Sequence, residues 1–596
     1  MAAASVSRPA TAAARRWSAC FPTRLRACAQ RRSRDLAARS LERFLADEAA
    51  TFSLGEDLAM AIRPGDVLLL DGDLGAGKTT LARSLIRALA DNPRLEVPSP
   101  TFTLVQSYDT PVPLHHFDLY RLSHGSELDE LGFEEMLSDG AVLVEWPDRG
   151  DGRFPRDSVH LALEHEGEGR RAMLSGEGPA FERMARSLLM RDFLKSAGYG
   201  EARRARFVAD ASARWYETVD KKGEPRRVLM NSPRLVLGPP VRDGKPYAEI
   251  AHTSQTVAAF VALDKVLAEA GVSVPQILAQ DLEQGFLLLD HLGTEPFLVD
   301  GEPVAERYAA AAELLADLHD IAAPAIFPLT RPPLRSATLS PRGEEVGEGR
   351  STPLLPVGEK VAAQRPDEGA FLTQQGEGKR GWPASIEVAP DVVHVIPPFD
   401  RDALMIEVEL LLEWYVPAMA GAPAPDVMRR DFLRLWNAAL DRLEGKQYGL
   451  VLRDYHSPNI VWRDEREGHD RLGILDFQDA LIGPVAYDVA SLAMDARVTV
   501  PEEIEQATVE AYVTARQRAG SFDEDGFREA YAITAAQRNS KILGIFVRLN
   551  VRDGKSNYLK HLPRIRDYMR RALAHPALEE MRDFYERNGL LEERST

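Results

Sequence analysis

Two stretches of this chain combine residue types and spacings that suit phosphate chemistry. The first, Gly72-Asp-Leu-Gly75-Ala76-Gly77-Lys78-Thr79-Thr80, fits the pattern G-x-x-x-x-G-K-[ST]. Glycines let successive backbone N–H groups turn inward around a polyphosphate, and a helix starting at the lysine adds partial positive charge. Lys78 can then reach the β- and γ-phosphates of ATP, and the Thr79 hydroxyl can hold Mg²⁺. Two acids are expected to complete this site: Asp118 ends the run Leu-His-His-Phe-Asp, and Glu145 ends Ala-Val-Leu-Val-Glu. An acid at the C-terminal end of a parallel strand faces the ligand edge of the sheet, where it can bind Mg²⁺ through water or orient the attacking water. A solvated strand-end acid is the alternative for each. His115 and His116 read as structural neighbours.

The second stretch is Leu-Val-Leu-Arg453-Asp454-Tyr-His456-Ser-Pro-Asn459-Ile-Val, which contains Asp-x4-Asn. Asp476 follows Asn459 by 17 residues, at the end of Gly-Ile-Leu-Asp476-Phe477-Gln478. This is the kinase catalytic arrangement. Asp454 is expected to accept the proton of a substrate hydroxyl, while Asn459 and Asp476 hold Mg²⁺ between the ATP phosphates. One short loop must present both base and metal ligand, and the next strand must return a second acid to the same metal. Gly483, Pro484 and Asp488 beyond it strengthen the pattern; a pair of polar β-turns is the bland alternative. His456 reads as a loop-shaping hydrogen-bonder. Arg453 suits either a transferring phosphate or a structural pair with a nearby acid.

Elements must position these groups. Asp66–Asp71 is a short apolar run of the kind a buried parallel strand needs, and residues 78–90 have a helical pattern. Strand-like runs recur at 114–119 and 141–145, and 158–176 reads as two closing strands; alternating strands and helices indicate a parallel α/β sheet. Segment 41–63 reads as a helix, a strand and a second short helix. A boundary falls near 176–179. A helix opens at about residue 181, strands follow at about 205–232 with a turn at Lys221-Lys222-Gly223, then a helix over 254–270, a strand over 285–290 and an amphipathic helix over 303–320. Residues 333–385 are rich in Pro, Gly, Glu, Arg and Ser and cannot bury enough apolar area to offset their ordering entropy, so they read as a disordered insertion. From about residue 397 helices dominate, broken by short strands around 450–476. The expected architecture is an α/β P-loop NTPase domain over 41–178, followed by an α+β two-lobed, protein-kinase-like phosphotransferase domain over 181–596. Its N-lobe covers about 181–295 and its helical C-lobe about 296–596.

Composition bounds the rest. The 596 residues carry 44% hydrophobic and 28% charged side chains, a globular mix. No run of about 18 apolar residues appears, so no membrane span is expected. Both cysteines, Cys20 and Cys28, lie near the start, which excludes a disulfide framework from the folded part and fits a cytoplasmic protein. The net charge is −18, but residues 1–40 hold nine Arg against Asp35 alone, leaving −26 on the remainder. A body so acidic is unsuited to gripping nucleic acid over a wide surface. The Arg-rich start resembles a transit peptide in composition and reads preferably as a disordered tail or a misplaced start codon.

The first stretch carries a family resemblance. With Pro-Ser-Pro-Thr-Phe-Thr-Leu (98–104), His-Phe-Asp-Leu-Tyr-Arg-Leu (116–122) and Val-Glu-Trp-Pro-Asp (144–148), residues 72–80 resemble the TsaE family over about 45–176. TsaE proteins are ATPases that support formation of N6-threonylcarbamoyladenosine in tRNA with TsaB and TsaD partners. The resemblance implies that Lys78, Thr79, Asp118 and Glu145 serve ATP and Mg²⁺, that Thr101–Thr103 lie in a switch-like loop, and that TsaB/TsaD-type subunits are partners.

Residues 453–462 and 473–492, with Leu-Met-Asn-Ser-Pro (229–233), Gly-Phe-Leu-Leu-Leu-Asp-His-Leu-Gly (285–293) and Glu-Trp-Tyr-Val-Pro (413–417), resemble the AmgK branch of the aminoglycoside-phosphotransferase superfamily. That resemblance implies ATP-dependent phosphorylation of the 1-hydroxyl of an amino sugar, N-acetylmuramate or N-acetylglucosamine, in peptidoglycan recycling. It departs from the usual kinase pattern at Met230, where a lysine would meet the α- and β-phosphates. Arg214, Lys221 and Lys222 are the candidate replacements, and 285–292 is the candidate adenine hinge. A kinase for another acceptor, such as an aminoglycoside, choline or homoserine, with the P-loop domain as a regulatory or assembly module, is the alternative.

Overall fold

In the computed structural model, residues 39–207, 214–324, 373–375 and 379–593 are described. The Arg-rich tail and most of 333–385 lie outside them. Within that segment the described residues form a short hairpin, Thr373–Gln375 with Lys379–Gly381. The chain divides into two compact units: the first runs to residue 208 and includes Tyr216–Arg226, and the second holds the rest.

The first unit is built on a seven-stranded sheet. Its strands are β1 (Arg39–Leu45), β2 (Val67–Asp71), β3 (Val105–Tyr108), β4 (Leu114–Asp118), β5 (Ala141–Glu145), β6 (Val159–Glu166) and β7 (Gly169–Gly176), in the order β1-β7-β6-β2-β5-β4-β3. β2 pairs in parallel with β5 and β6, and β4 with β5, while the outer pairs are antiparallel. β2 and β5 are apolar up to their terminal acids because both faces are covered. On β2, Leu68 and Leu70 enter one core with Leu81 and Leu85 of helix α2 (Lys78–Leu89), while Val67 and Leu69 enter the other with Phe117 and Phe133. That alternation lets a run with no polar position sit between two layers.

The expected helix–strand–helix over 41–63 is corrected. Residues 39–45 form β1, hydrogen-bonded to β7, and one helix, α1 (Glu48–Ala59), follows, with Asp47 accepting from the Ala50 N–H at its N-cap. The helix-forming residues Leu41, Glu42 and Arg43 are held extended because the sheet edge beside them offers a full hydrogen-bond ladder, a tertiary override of local propensity. Helix α3 (Pro179–Ser196) sends Phe181, Met184 and Leu188 into the first core. The antiparallel pair β8 (Arg203–Phe207) and β9 (Trp215–Asp220) follows. A buried charge network ties these pieces together. Arg191 on α3 and Arg204 on β8 both donate to Asp57 of α1 at 2.8 Å, and Arg204 also reaches Glu217 at 2.7 Å.

In the second unit, β10 (Arg227–Asn231) pairs antiparallel with β12 (Phe286–Asp290), which pairs with β11 (Ile277–Asp281). Helix α4 (Ala258–Glu269) precedes β11 and helix α5 (Ala305–Asp320) follows β12. The remainder is mainly helical. It holds α6 (Arg401–Leu410), the strands β13 (Tyr448–Val451), β14 (Ile460–Trp462), β15 (Leu472–Ile474) and β16 (Leu481–Pro484), then α7 (Ala486–Ala493) and the 30-residue α8 (Glu524–Asp553). β13 pairs with β16 and β14 with β15, both antiparallel, which places the loops after β13 and β15 on one end of this substructure.

Candidate active sites

The P-loop joins β2 to α2. Gly72, Gly75 and Gly77 have φ of 138°, 82° and 105°, a region that side chains rarely adopt. A Cβ on Gly72 would sit 2.4 Å from the Leu163 carbonyl, so both space and conformation demand glycine there. Lys78 is buried, donates from Nζ to the Gly72 and Asp73 carbonyls at 2.6 and 3.0 Å, and lies 3.7 Å from the centroid of the Trp146 ring. Burial pushes the Lys78 ammonium below its usual value, and Glu145 and Asp118 oppose that shift. The lysine is curled onto the loop it would leave to meet a phosphate. Among the described residues the loop's φ angles and this cation fit a nucleotide.

Both expected acids stand beside it, at the ends of β4 and β5. Thr79 Oγ1 donates to Glu145 Oε2 at 2.9 Å, and His116 Nε2 lies 3.0 Å from Glu145 Oε1. Asp118 Oδ2 accepts from Ser99 Oγ at 2.6 Å and Thr101 Oγ1 at 2.7 Å. The 98–104 segment is thereby latched to the sheet through an acid, and its Phe102 remains 81% exposed. His116 orients Glu145, while His115 instead meets Ser107 on the neighbouring strand. Trp146, whose φ of 61° turns the chain directly after Glu145, is a contact of Lys78 that the motif reading did not single out.

In the second unit, Asp454 follows Arg453, which has φ 71°. That turn is held by Asp488 of α7, whose carboxylate accepts from the Leu452 N–H at 2.5 Å and the Arg453 N–H at 2.8 Å. Asn459 Nδ2 donates to the Asp454 carbonyl at 2.8 Å, and the Asn459 carbonyl accepts from the Leu475 N–H at 2.9 Å, so the loop and the β15 exit are tied together. Asp476 has φ 58° and accepts at Oδ1 from Arg214 Nη1 and from Gln478 Nε2, each at 2.8 Å. Arg214 also lies 3.7 Å from Asp479. A guanidinium drawn onto Asp476 shows a locus of negative potential, which fits a divalent cation. Met230 is fully buried in β10 opposite Leu287. Of the candidate replacement cations, Arg214 is at the site and Lys221 pairs with Glu224 at 2.6 Å.

Residues far apart in the chain support Asp454. Glu407 of α6 is fully buried; it is paired with Arg453, lies 2.6 Å from Lys541 Nζ of α8 and accepts from Gln537 Nε2 at 3.0 Å. Burial alone pushes the Asp454 carboxyl upward, but Lys541, His456, Arg453 and Arg538 outweigh it and hold it below the usual carboxylate range. Arg453 is thus a structural partner of an acid, one of the two expected readings. Nothing in local spacing could have signalled Glu407, Gln537, Arg538 or Lys541, because they reach the loop through tertiary packing. A cavity of about 620 Å³ between α4 and β11, lined by Asp264, Gln276, Asp290 and Arg463, holds none of these groups.

Comparison with known families fits both constellations. The phosphotransferase enzyme family model matches residues 204–522, more than half of the chain. The chain belongs to that family. A second model, threonylcarbamoyl adenosine biosynthesis protein TsaE, matches residues 45–173. The family member is therefore a fusion, with a P-loop region followed by a phosphotransferase acting on an alcohol group. The chain is 29% identical over 407 residues to an N-acetylmuramate/N-acetylglucosamine kinase of Caulobacter vibrioides, covering 66% of this chain and 94% of that protein. A Pseudomonas putida protein of the same description is 27% identical, covering 66% and 91%. The tRNA threonylcarbamoyladenosine biosynthesis protein TsaE of Rickettsia felis is 44% identical over 103 residues, covering 17% of this chain and 60% of that protein. Among the described residues no helix is long and apolar enough to cross a membrane.

Proposed function

We propose that this is a bifunctional cytoplasmic protein. One part is an ATPase that supports threonylcarbamoyladenosine formation on tRNA. The other is an ATP- and Mg²⁺-dependent kinase that phosphorylates the anomeric hydroxyl of N-acetylmuramate or N-acetylglucosamine. The observation that carries the kinase reading is the joining of Asp454, Asn459 and Asp476 by one hydrogen-bonded loop and strand exit, in a chain that spans 94% of the Caulobacter vibrioides sugar kinase. Asp454 takes the proton as the sugar oxygen attacks the γ-phosphorus and the bond from that phosphorus to the bridging oxygen of ADP breaks; its depressed pKa keeps it ionised at neutral pH. Asn459 and Asp476 hold Mg²⁺ on the phosphates, and Arg214, which now neutralises Asp476, supplies the cation that Met230 cannot.

For the ATPase, Lys78 leaves the loop carbonyls for the β- and γ-phosphates, Thr79 holds Mg²⁺, and Glu145 and Asp118 act through water. The exposed side chains of Leu74 and Phe102 at the lip of this site support docking of TsaB/TsaD-type partner subunits over the nucleotide.

An acceptor panel with phosphorus NMR on the full chain tests the kinase reading, since it reports both the sugar and the phosphorylated carbon. Phosphate on C1 of either amino sugar is expected; turnover of choline or an aminoglycoside alone sinks it. ATP hydrolysis by the full chain with and without TsaB/TsaD-type subunits tests the other half, which fails if the partners change nothing.

A further inference from the structure

One cation whose field reaches Asp454 makes no ion pair among the described residues. Arg453 and Lys541 share Glu407. Arg538 has no such partner: it is 6% exposed, its Nε is buried without a hydrogen bond, and no ion pair involves it among the described residues. A buried guanidinium outside any ion pair is costly, and a catalytic role or a bound ligand is among the reasons a fold retains one. Its position says which ligand. Arg538 lies three residues before Lys541, on the same face of α8, the face turned to the catalytic loop. Its field reaches Asp454, His456 and Tyr487. His456, two residues beyond Asp454, also has a buried ring nitrogen, Nδ1, without a partner. Asp495, another acid whose field reaches His456, is already engaged by the Ser457 and Arg497 N–H groups at 2.8 and 2.7 Å.

Two orphaned nitrogens, one of them on a fixed cation, therefore stand beside the catalytic base. We propose that Arg538, assisted by His456, binds a carboxylate carried by the acceptor and so makes the site selective for an acid-bearing amino sugar over a neutral one. The proposal rests on the amino-sugar kinase reading. N-acetylmuramate carries a lactyl carboxylate and N-acetylglucosamine does not, so the two sugars differ in the group that Arg538 would meet. A cationic acceptor would instead face Arg538 and Lys541 together.

The test compares kcat/KM of the full-length protein for both sugars, and for the methyl ester of N-acetylmuramate, in wild type, Arg538→Gln and Arg538→Lys. A charge-assisted hydrogen bond is worth roughly 10- to 100-fold in affinity. Arg538→Gln is expected to lower the N-acetylmuramate to N-acetylglucosamine ratio of kcat/KM at least about 10-fold, mostly through KM, with partial recovery in Arg538→Lys. In wild type, which requires no altered fold, the ester is expected to lose a similar factor. Equal losses on both sugars, or an ester that reacts as well as the acid, overturn the role of Arg538 while leaving the kinase reading intact. If wild type phosphorylates neither sugar, the kinase reading itself fails and the proposal falls with it.

Discussion

The two phosphate sites meet the same electrostatic demand with different parts of the chain. In the first unit the phosphate pocket is mostly backbone: glycines at φ 138°, 82° and 105° create it, and the buried Lys78 lies within it. In the second unit side chains of both signs surround the loop, with Asp454, Asn459 and Asp476 as the proposed base and metal ligands and Arg214, Arg453 and Lys541 to balance them. Both sites turn the chain sharply at a candidate site acid by a left-handed residue: Trp146 after Glu145, Arg453 before Asp454, and Asp476 itself. Non-glycine residues reach that region only when surrounding contacts over-determine it. The support differs accordingly. Trp146 is braced locally, by Lys78 and by Tyr120 at 5.1 Å between ring centroids, whereas Arg453 is braced by Asp488 and Glu407 from two separate helices. A backbone cradle is therefore nearly self-sufficient, and a side-chain site depends on its distant scaffold.

The largest expected effects test whether the sites are independent. Asp454→Ala should lower sugar phosphorylation about 10³-fold, the loss of a positioned base, with P-loop ATP hydrolysis unchanged. Lys78→Ala should lower ATP hydrolysis about 100-fold, as for one lost electrostatic donor, with sugar phosphorylation unchanged. Steady-state assays of both reactions on both variants check this. Loss of sugar phosphorylation in folded Lys78→Ala protein would show that the sites are coupled.

Smaller effects test the scaffolds. Glu407→Gln leaves Arg453 and Lys541 buried against a neutral amide, and Asp57→Asn does the same to Arg191 and Arg204. Breaking a buried pair costs about 3–5 kcal/mol. Asp57→Asn should fall at the low end because Arg204 keeps Glu217. In calorimetry Glu407→Gln should lower the unfolding transition of the phosphotransferase unit, and Asp57→Asn that of the ATPase unit. Nucleotide and sugar additions tell the transitions apart. A shift of the same transition by both variants would break the division between the two scaffolds.

This contrast explains what could be read from the chain before its fold. The P-loop was legible because a positive φ restricts the residue type, so backbone shape is written as Gly72, Gly75 and Gly77. Asp454, Asn459 and Asp476 were legible because one loop and one strand exit must present them at fixed spacing. Their electrostatic support was not, because Glu407, Arg538 and Lys541 meet the loop only through packing of α6 and α8, and a lone charged residue in a helix normally signals a solvated face. The β1 strand was misread for a related reason: its residues favour a helix locally and are held extended by β7, far along the chain. Arg214 was named as a candidate cation, and its contact with Asp476 is a tertiary fact.

The smallest expected effect is the most specific to the side-chain site. Desolvation pushes Asp454 up, and Lys541 is the foremost of the cations that bring its pKa below the usual value. Removing that cation in Lys541→Met makes the carboxylate harder to form, so the pKa of the base must rise. The acid limb of the kcat/KM profile, which reports the base in the free enzyme, should then move to higher pH by about one unit, the low end of the shift expected from a nearby opposite charge. Activity at pH 8, where the base is ionised in either protein, should change far less than activity at about pH 4 and below. No equivalent shift is expected in the ATPase profile, because no group in the P-loop site is held ionised by Lys541. An acid limb that stays where it was, with activity lowered equally at every pH, would mean that Lys541 serves only to hold Glu407 and the fold around it.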